Sequence, residues 1–106
     1  MIEASERYLE EPAVEAIGLT DVLHALSDPL RLDIVTELAA SEAERACGTF
    51  DPPIAKSTLS HHFKVLRDAG VTRTRVVGTQ RLIALRRDDL EARFPGLLGS
   101  VLASLP

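Results

Sequence analysis

The chain has 106 residues and a formal net charge of −4, enough for one domain able to bury roughly two-thirds of its unfolded surface. No stretch approaches the ~20 apolar residues of a membrane span, and the opening MIEASERYLEEP is acidic where a secretion signal is basic, so a cytoplasmic location without membrane attachment is expected. The single thiol, Cys47, excludes an internal disulfide and agrees with a reducing compartment.

Residues 1–12 are polar and acidic without a sustained period, so they read as a loose arm, with Tyr8 and Leu9 free to dock on a partner. Residues 13–106 then make up the folded domain. Pro12 to Leu19 reads as a short helix or an extended lead-in, and Gly18 marks a break. Thr20 is placed to cap a first helix running to Ser27, with Val22, Leu23 and Leu26 on one stripe. His24 lies inside it and reads as a packing or surface residue rather than a metal ligand. Asp28-Pro29 is a strong start for a second helix, because Asp caps free N–H groups and Pro at the first helical position loses no hydrogen bond. That helix reaches about Ala40, burying Leu30, Ile34, Val35 and Leu38, with Leu32 and Ala39 widening the stripe. From Ser41 to Ala55 the pair Pro52-Pro53 forbids a regular helix. Cys47 to Phe50 reads there as a short strand with Phe50 in the core, and Ile54 to Ser57 as one supporting turn.

Lys56 to Gly70, KSTLSHHFKVLRDAG, is the most informative stretch. At 100° per residue Leu59, Phe63 and Leu66 fall in one narrow arc with His62 at its edge. The opposite arc carries Ser57, Ser60, His61 and Lys64, with Arg67 at the shoulder, all groups able to reach phosphates or base edges. Ser57 or Thr58 is placed to cap the N-terminus, where free N–H groups favour an anion, and Gly70 to end the helix in a left-handed turn. Val71 to Arg87 follows as two β-prone runs around Gly78-Thr79-Gln80, a hairpin with a polar tip from which Arg73, Arg75 and Arg81 project. A helix followed by a basic hairpin is the winged helix-turn-helix order, helix in a major groove and hairpin along the neighbouring backbone or minor groove.

Charge distribution supports that reading. Residues 56–87 hold eight cations against Asp68 alone, a surplus of seven, which leaves the remainder of the chain at minus eleven. A merely solvated face would intermix the signs; segregation over the one groove-sized segment favours a phosphate-facing surface. Beyond it, Asp88 or Asp89 caps a turn through Leu90 to Phe94, Pro95-Gly96 interrupts, and Leu97, Leu98, Val101, Leu102 and Leu105 resume helical spacing. With Val22 and Leu23 of the first helix they offer more apolar stripe than one small core requires, and a homodimer joined through the first and last helices is expected.

HALSDPLRLDIVTEL at 24–38, STLSHHFKVLRDAGV at 57–71 and the arginine-rich hairpin with its Gly78 together resemble the ArsR/SmtB family of bacterial winged-helix repressors, over residues 19–105. The resemblance implies a mainly α fold with a small β-hairpin, dimerised by its first and last helices, that binds a two-fold operator on double-stranded DNA and releases it when an inducer arrives. Arg31 matches the family's recurrent arginine; a structural ion pair with an acidic neighbour is expected of it rather than DNA contact. The metal-sensing members carry a Cys-x-Cys pair before the recognition helix or an Asp, His and Glu set along the last helix. Here only Cys47 stands at the first place and Asp88, Asp89 and Glu91 at the second, without histidine, so no metal and no other cofactor is expected. His61 and His62 diverge by about 100° and cannot chelate one ion in the i, i+4 manner.

No nucleophile stands with a base, and no phosphate loop or paired carboxylate cleft is present, which speaks against an enzyme. Cys47 reads as a small apolar residue, a redox sensor being the alternative. The expected DNA-binding set is therefore Lys56, Ser57, Thr58, Ser60, His61, Lys64, Arg67, Arg73, Arg75, Gln80 and Arg81. The competing reading is a winged-helix module whose basic face meets an acidic protein; an organic inducer held at the dimer interface is compatible with the DNA role.

Overall fold

A computed structural model describes residues 6–41, 44–46 and 56–105. The elements follow the order β1 (Glu6–Tyr8), a 3₁₀ turn (Val14–Ala16), α1 (Leu19–Ala25), α2 (Pro29–Ser41), β2 (Arg45–Ala46), α3 (Lys56–Asp68), β3 (Thr72–Val77), β4 (Gln80–Leu85), α4 (Arg87–Arg93) and α5 (Leu97–Ala103). The strands form one antiparallel sheet in the order β1-β3-β4-β2.

The start of α2 follows its sequence signal closely. Asp28 Oδ2 accepts from the backbone N–H groups of Leu30 at 2.9 Å and Arg31 at 3.1 Å, satisfying two of the helix's free donors. Ile34, Val35 and Leu38 then enter a core shared with Val22 and Ala25 of α1, Phe63 and Leu66 of α3, Val71, Ile83, Leu90 and Leu98. Each fully buried aliphatic side chain there contributes roughly 1.5–3 kcal/mol. Along β3 the pleat buries Thr72, Thr74 and Val76 and leaves Arg73, Arg75 and Val77 half-exposed.

Gly70 joins helix to wing. Its φ is +86°, its N–H donates to Arg67 O at 3.0 Å, and the Val71 N–H donates to Leu66 O at 3.0 Å. That pair of bonds is a Schellman ending, closed by the fully buried Leu66 and Val71. A second constraint comes from packing: a Cβ on Gly70 would lie 2.6 Å from Ile17 Cγ1. The hairpin turns over Gly78-Thr79, with Gly78 at φ +61° and Val77 paired to Gln80, so Gln80 is the first strand residue rather than part of the tip.

The structure departs from the sequence expectations at the ends of the chain. The described part of the segment expected to hang loose, residues 6–12, is held in place. β1 pairs with β3, the Leu9 N–H donates to Thr74 O at 2.9 Å, and Arg86 Nη1 donates to Pro12 O at 2.7 Å. Farther along, Arg93 Nη2 donates to Ile17 O at 2.7 Å. Single bonds of this kind carry no apolar period, which is why the segment looked featureless. α1 is preceded by Gly18 rather than capped by Thr20, which lies within the helix. α4 begins at Arg87, so Asp88 and Asp89 occupy its first turn instead of its cap, where the helix dipole still favours them.

Cys47 to Phe50 and Ile54 to Ala55, expected as a strand and a supporting turn, lie outside the described residues. The two residues just before Cys47, Arg45 and Ala46, pair with Ile83 and Leu82 of β4. Of the side chains expected between subunits, Val22 is 1% and Leu98 8% exposed within the single chain. Both belong to the monomer core, and with Leu26, Leu90 and Leu97 they line one small apolar cavity.

Candidate nucleic-acid interface

α3 is anchored by Phe63 and Leu66, both buried, with Leu59 and Val65 packed against the same core. On its outer side Ser57, Thr58, Ser60, His61 and Lys64 are exposed. Ser57 and Thr58 stand one and two residues inside a helix that starts at Lys56, so neither is its cap. Lys64 Nζ lies 2.7 Å from Asp68 Oδ2, one turn on, an exposed pair that releases its lysine at little cost. Arg67 is half-buried at the shoulder, and its Nε has no hydrogen-bond partner among the described residues. It lines an open groove of about 440 Å³ with Leu9, Glu10, Glu11, Pro12, Lys64 and Asp68.

Behind the ridge, Arg31 plays a structural part but not as the expected ion pair. At 7% exposure, its Nε donates to Ala25 O at 2.6 Å and Nη2 to His24 O at 3.3 Å, while Nη1 lies 3.1 Å from His62 Nδ1. Carbonyls at the end of α1 and a ring on α3 thus take the place of the carboxylate. Asp28, 4.0 Å from the same ring nitrogen, is held below the usual carboxylate range chiefly by the Arg31 N–H it accepts, against the opposing effect of burial.

The wing differs more from expectation. Gln80 and Arg81 are exposed beside the tip. Arg73 and Arg75, in contrast, do not project freely. Arg73 Nε donates to Glu11 at 2.8 Å, its Nη2 lies 3.6 Å from Asp89, and its guanidinium sits 5.7 Å from the centre of the Tyr8 ring. Arg75 Nε donates to Glu44 at 2.9 Å, which draws that carboxyl below its ordinary range. Arg86, buried, reaches Asp89 at 2.9 Å, and Arg87 donates to Ala39 O at 2.9 Å. Much of the positive surplus read from residues 56–87 is therefore met by carboxylates from outside that stretch. Glu11 and Glu44 were missed as functional neighbours; the strongly acidic remainder of the chain was the one signal that pointed to such partners.

A helix with an apolar inner arc, an exposed serine, histidine and lysine ridge, and a following hairpin defines the helix-turn-helix class of DNA-binding regulators. Comparison with known proteins agrees. Residues 26–75 match the family model described as a helix-turn-helix domain. The chain is 40% identical over 79 residues to the uncharacterized HTH-type transcriptional regulator YceK of Bacillus subtilis (strain 168), covering 73% of this chain and 79% of that one. It is 35% identical over 74 residues to the arsenical resistance operon repressor of Staphylococcus xylosus, covering 69% and 70% respectively. The chain belongs to the ArsR family of helix-turn-helix transcriptional regulators, and it is not an enzyme. Among the described residues no helix is long and apolar enough to cross a membrane.

Proposed function

We propose that this regulator is a homodimeric repressor that binds a two-fold operator with α3 as recognition helix and the β3–β4 hairpin as wing. The observation that carries this reading is the exposed row Ser57, Thr58, Ser60, His61 and Lys64 opposite the buried Phe63 and Leu66. Short hydroxyls let the helix backbone approach the groove, His61 and Ser60 offer base-edge bonds, and Lys64 and Lys56 serve phosphates. Arg67, Arg81 and Gln80 extend the contact toward the wing. Arg73 and Arg75 reach phosphates only by leaving Glu11 and Glu44. For the dimer, Leu19 and Leu23, each 45% exposed and one turn apart on α1, with Leu97, Val101, Leu102 and Leu105 half-buried at the other end of the chain, supply the apolar surface.

The relative from Staphylococcus xylosus is named for arsenical resistance. A soft metalloid wants several sulfur ligands at once, and this chain has only Cys47; we propose that it responds neither to arsenicals nor to transition metals. The DNA reading is tested by selecting bound duplexes from a random oligonucleotide pool and measuring affinity against salt. Binding should fall steeply as salt rises, because each neutralised phosphate releases counterions. His61→Ala should cost roughly 1–3 kcal/mol on the selected duplex and much less on an unrelated one. Equal losses on both would remove His61 from the base contacts, and no preferred duplex at all would remove the recognition helix.

A further inference from the structure

We propose that His62 is a positioning residue for DNA recognition, a neutral ring whose Nδ1 lone pair accepts from Arg31 and so keeps the ridge of α3 in register with α1 and α2. This rests on the reading of α3 as recognition helix. Arg31 stands at the junction of three helices: it belongs to α2, two of its nitrogens donate to Ala25 O and His24 O at the end of α1, and Nη1 lies 3.1 Å from His62 Nδ1. A guanidinium has donors only and keeps its proton in proteins. Nδ1 must therefore present its lone pair, and the ring hydrogen must sit on Nε2. The His62 side chain is 12% exposed, so a lost partner is not simply replaced by bulk water.

Protonation of the ring reverses this contact. An N–H at Nδ1 would face the N–H of Nη1, two donors at hydrogen-bond distance. Arg31 cannot withdraw, because two carbonyls hold it; the ring must move instead, and α3 with it. Among the described residues, the charged and titratable groups facing His62 are Arg31, which opposes protonation, Asp28 with Oδ2 4.0 Å from Nδ1, which favours it and offers the displaced ring a new partner, and His61 on the same helix, with ring centroids 5.5 Å apart. From α1, His24 contributes its carbonyl to the network. Loss of this contact thus costs the fit to the preferred sequence more than it costs nonspecific binding.

The test uses the full chain, a duplex selected from a random pool, and an unrelated duplex of equal length. Between about pH 7.5 and about pH 5.5 the ratio of the two affinities should fall roughly tenfold for the native protein. His62→Asn places an acceptor near Nδ1 that does not titrate, and should hold the ratio within about twofold over the same range. Independently of DNA, long-range ¹H–¹⁵N correlation of the free native protein at neutral pH should find the ring hydrogen on Nε2, with the backbone amides of residues 57–64 shifting as the ring titrates. A hydrogen on Nδ1, amides that ignore the titration, or identical pH profiles for the native and His62→Asn proteins would overturn the assignment. If no duplex is preferred, the recognition-helix reading fails on its own, and the tautomer still decides whether the Arg31 contact exists.

Discussion

Asp28 shows how much one side chain carries here. It caps α2 through two backbone N–H groups and faces the His62 ring, so Asp28→Ala should lower stability by about 1 kcal/mol in a denaturant titration. Its carboxyl, and that of Glu44 beside Arg75, titrate below their ordinary values in the folded protein. A depressed folded value means that the stabilisation is complete above the unfolded-state value near pH ~4 and is lost as pH falls through the folded one. These two carboxylates should accordingly make the melting temperature drop below about pH 4, and Asp28→Ala should flatten that drop.

At the level of elements, the joint between α3 and β3 is the least forgiving. Gly70 needs both a left-handed backbone and the absence of a Cβ, because Ile17 packs where that atom would go. Gly70→Ala should destabilise by roughly 1–3 kcal/mol from the backbone alone, with a further cost for moving Ile17, seen as a lower denaturation midpoint at unchanged slope. The edge of the sheet is tuned rather than strained. β1 and the segment after it bring Glu11 onto Arg73. Glu11→Gln should remove one of the two carboxylates on that arginine, tighten binding to any duplex, and steepen the plot of log affinity against log salt by up to about one unit. An unchanged slope would show that Arg73 lies away from the phosphates.

For the molecule as a whole, the apolar side chains of α1 divide between core and surface. Val22 and Ala25 are in the core, whereas Leu19 and Leu23 are each 45% exposed. With the proposed homodimer joined through α1, Leu23→Glu should give monomers in sedimentation velocity while leaving the circular dichroism native, because a charge at that position meets water in the monomer and apolar surface in the pair. Retained dimers would move the interface elsewhere. Charge works at the same scale: carboxylates of the N-terminal segment, of Glu44 and of α4 sit on the wing arginines, so the charge of the proposed DNA surface depends on all parts of the chain and not on the basic stretch alone.

The local code of this sequence was sufficient wherever a contact spans a few residues. Asp28-Pro29 started α2, the spacing of Leu59, Phe63 and Leu66 set the inner arc of α3, and Gly70 and Gly78 marked the two turns, because caps, periods and positive φ depend on near neighbours. Those same rules made the outer ridge of α3 legible without coordinates. Long-range pairing lay beyond them. Nothing in the order of residues joins Glu11 to Arg73, Glu44 to Arg75 or Arg31 to His62, which stand 62, 31 and 31 positions apart. An ion pair needs only that two ends meet, and any of the chain's carboxylates satisfies the local chemistry equally well. Which of them sits beside which cation was decided when β1 joined the sheet edge and α1, α2 and α3 closed on a common core.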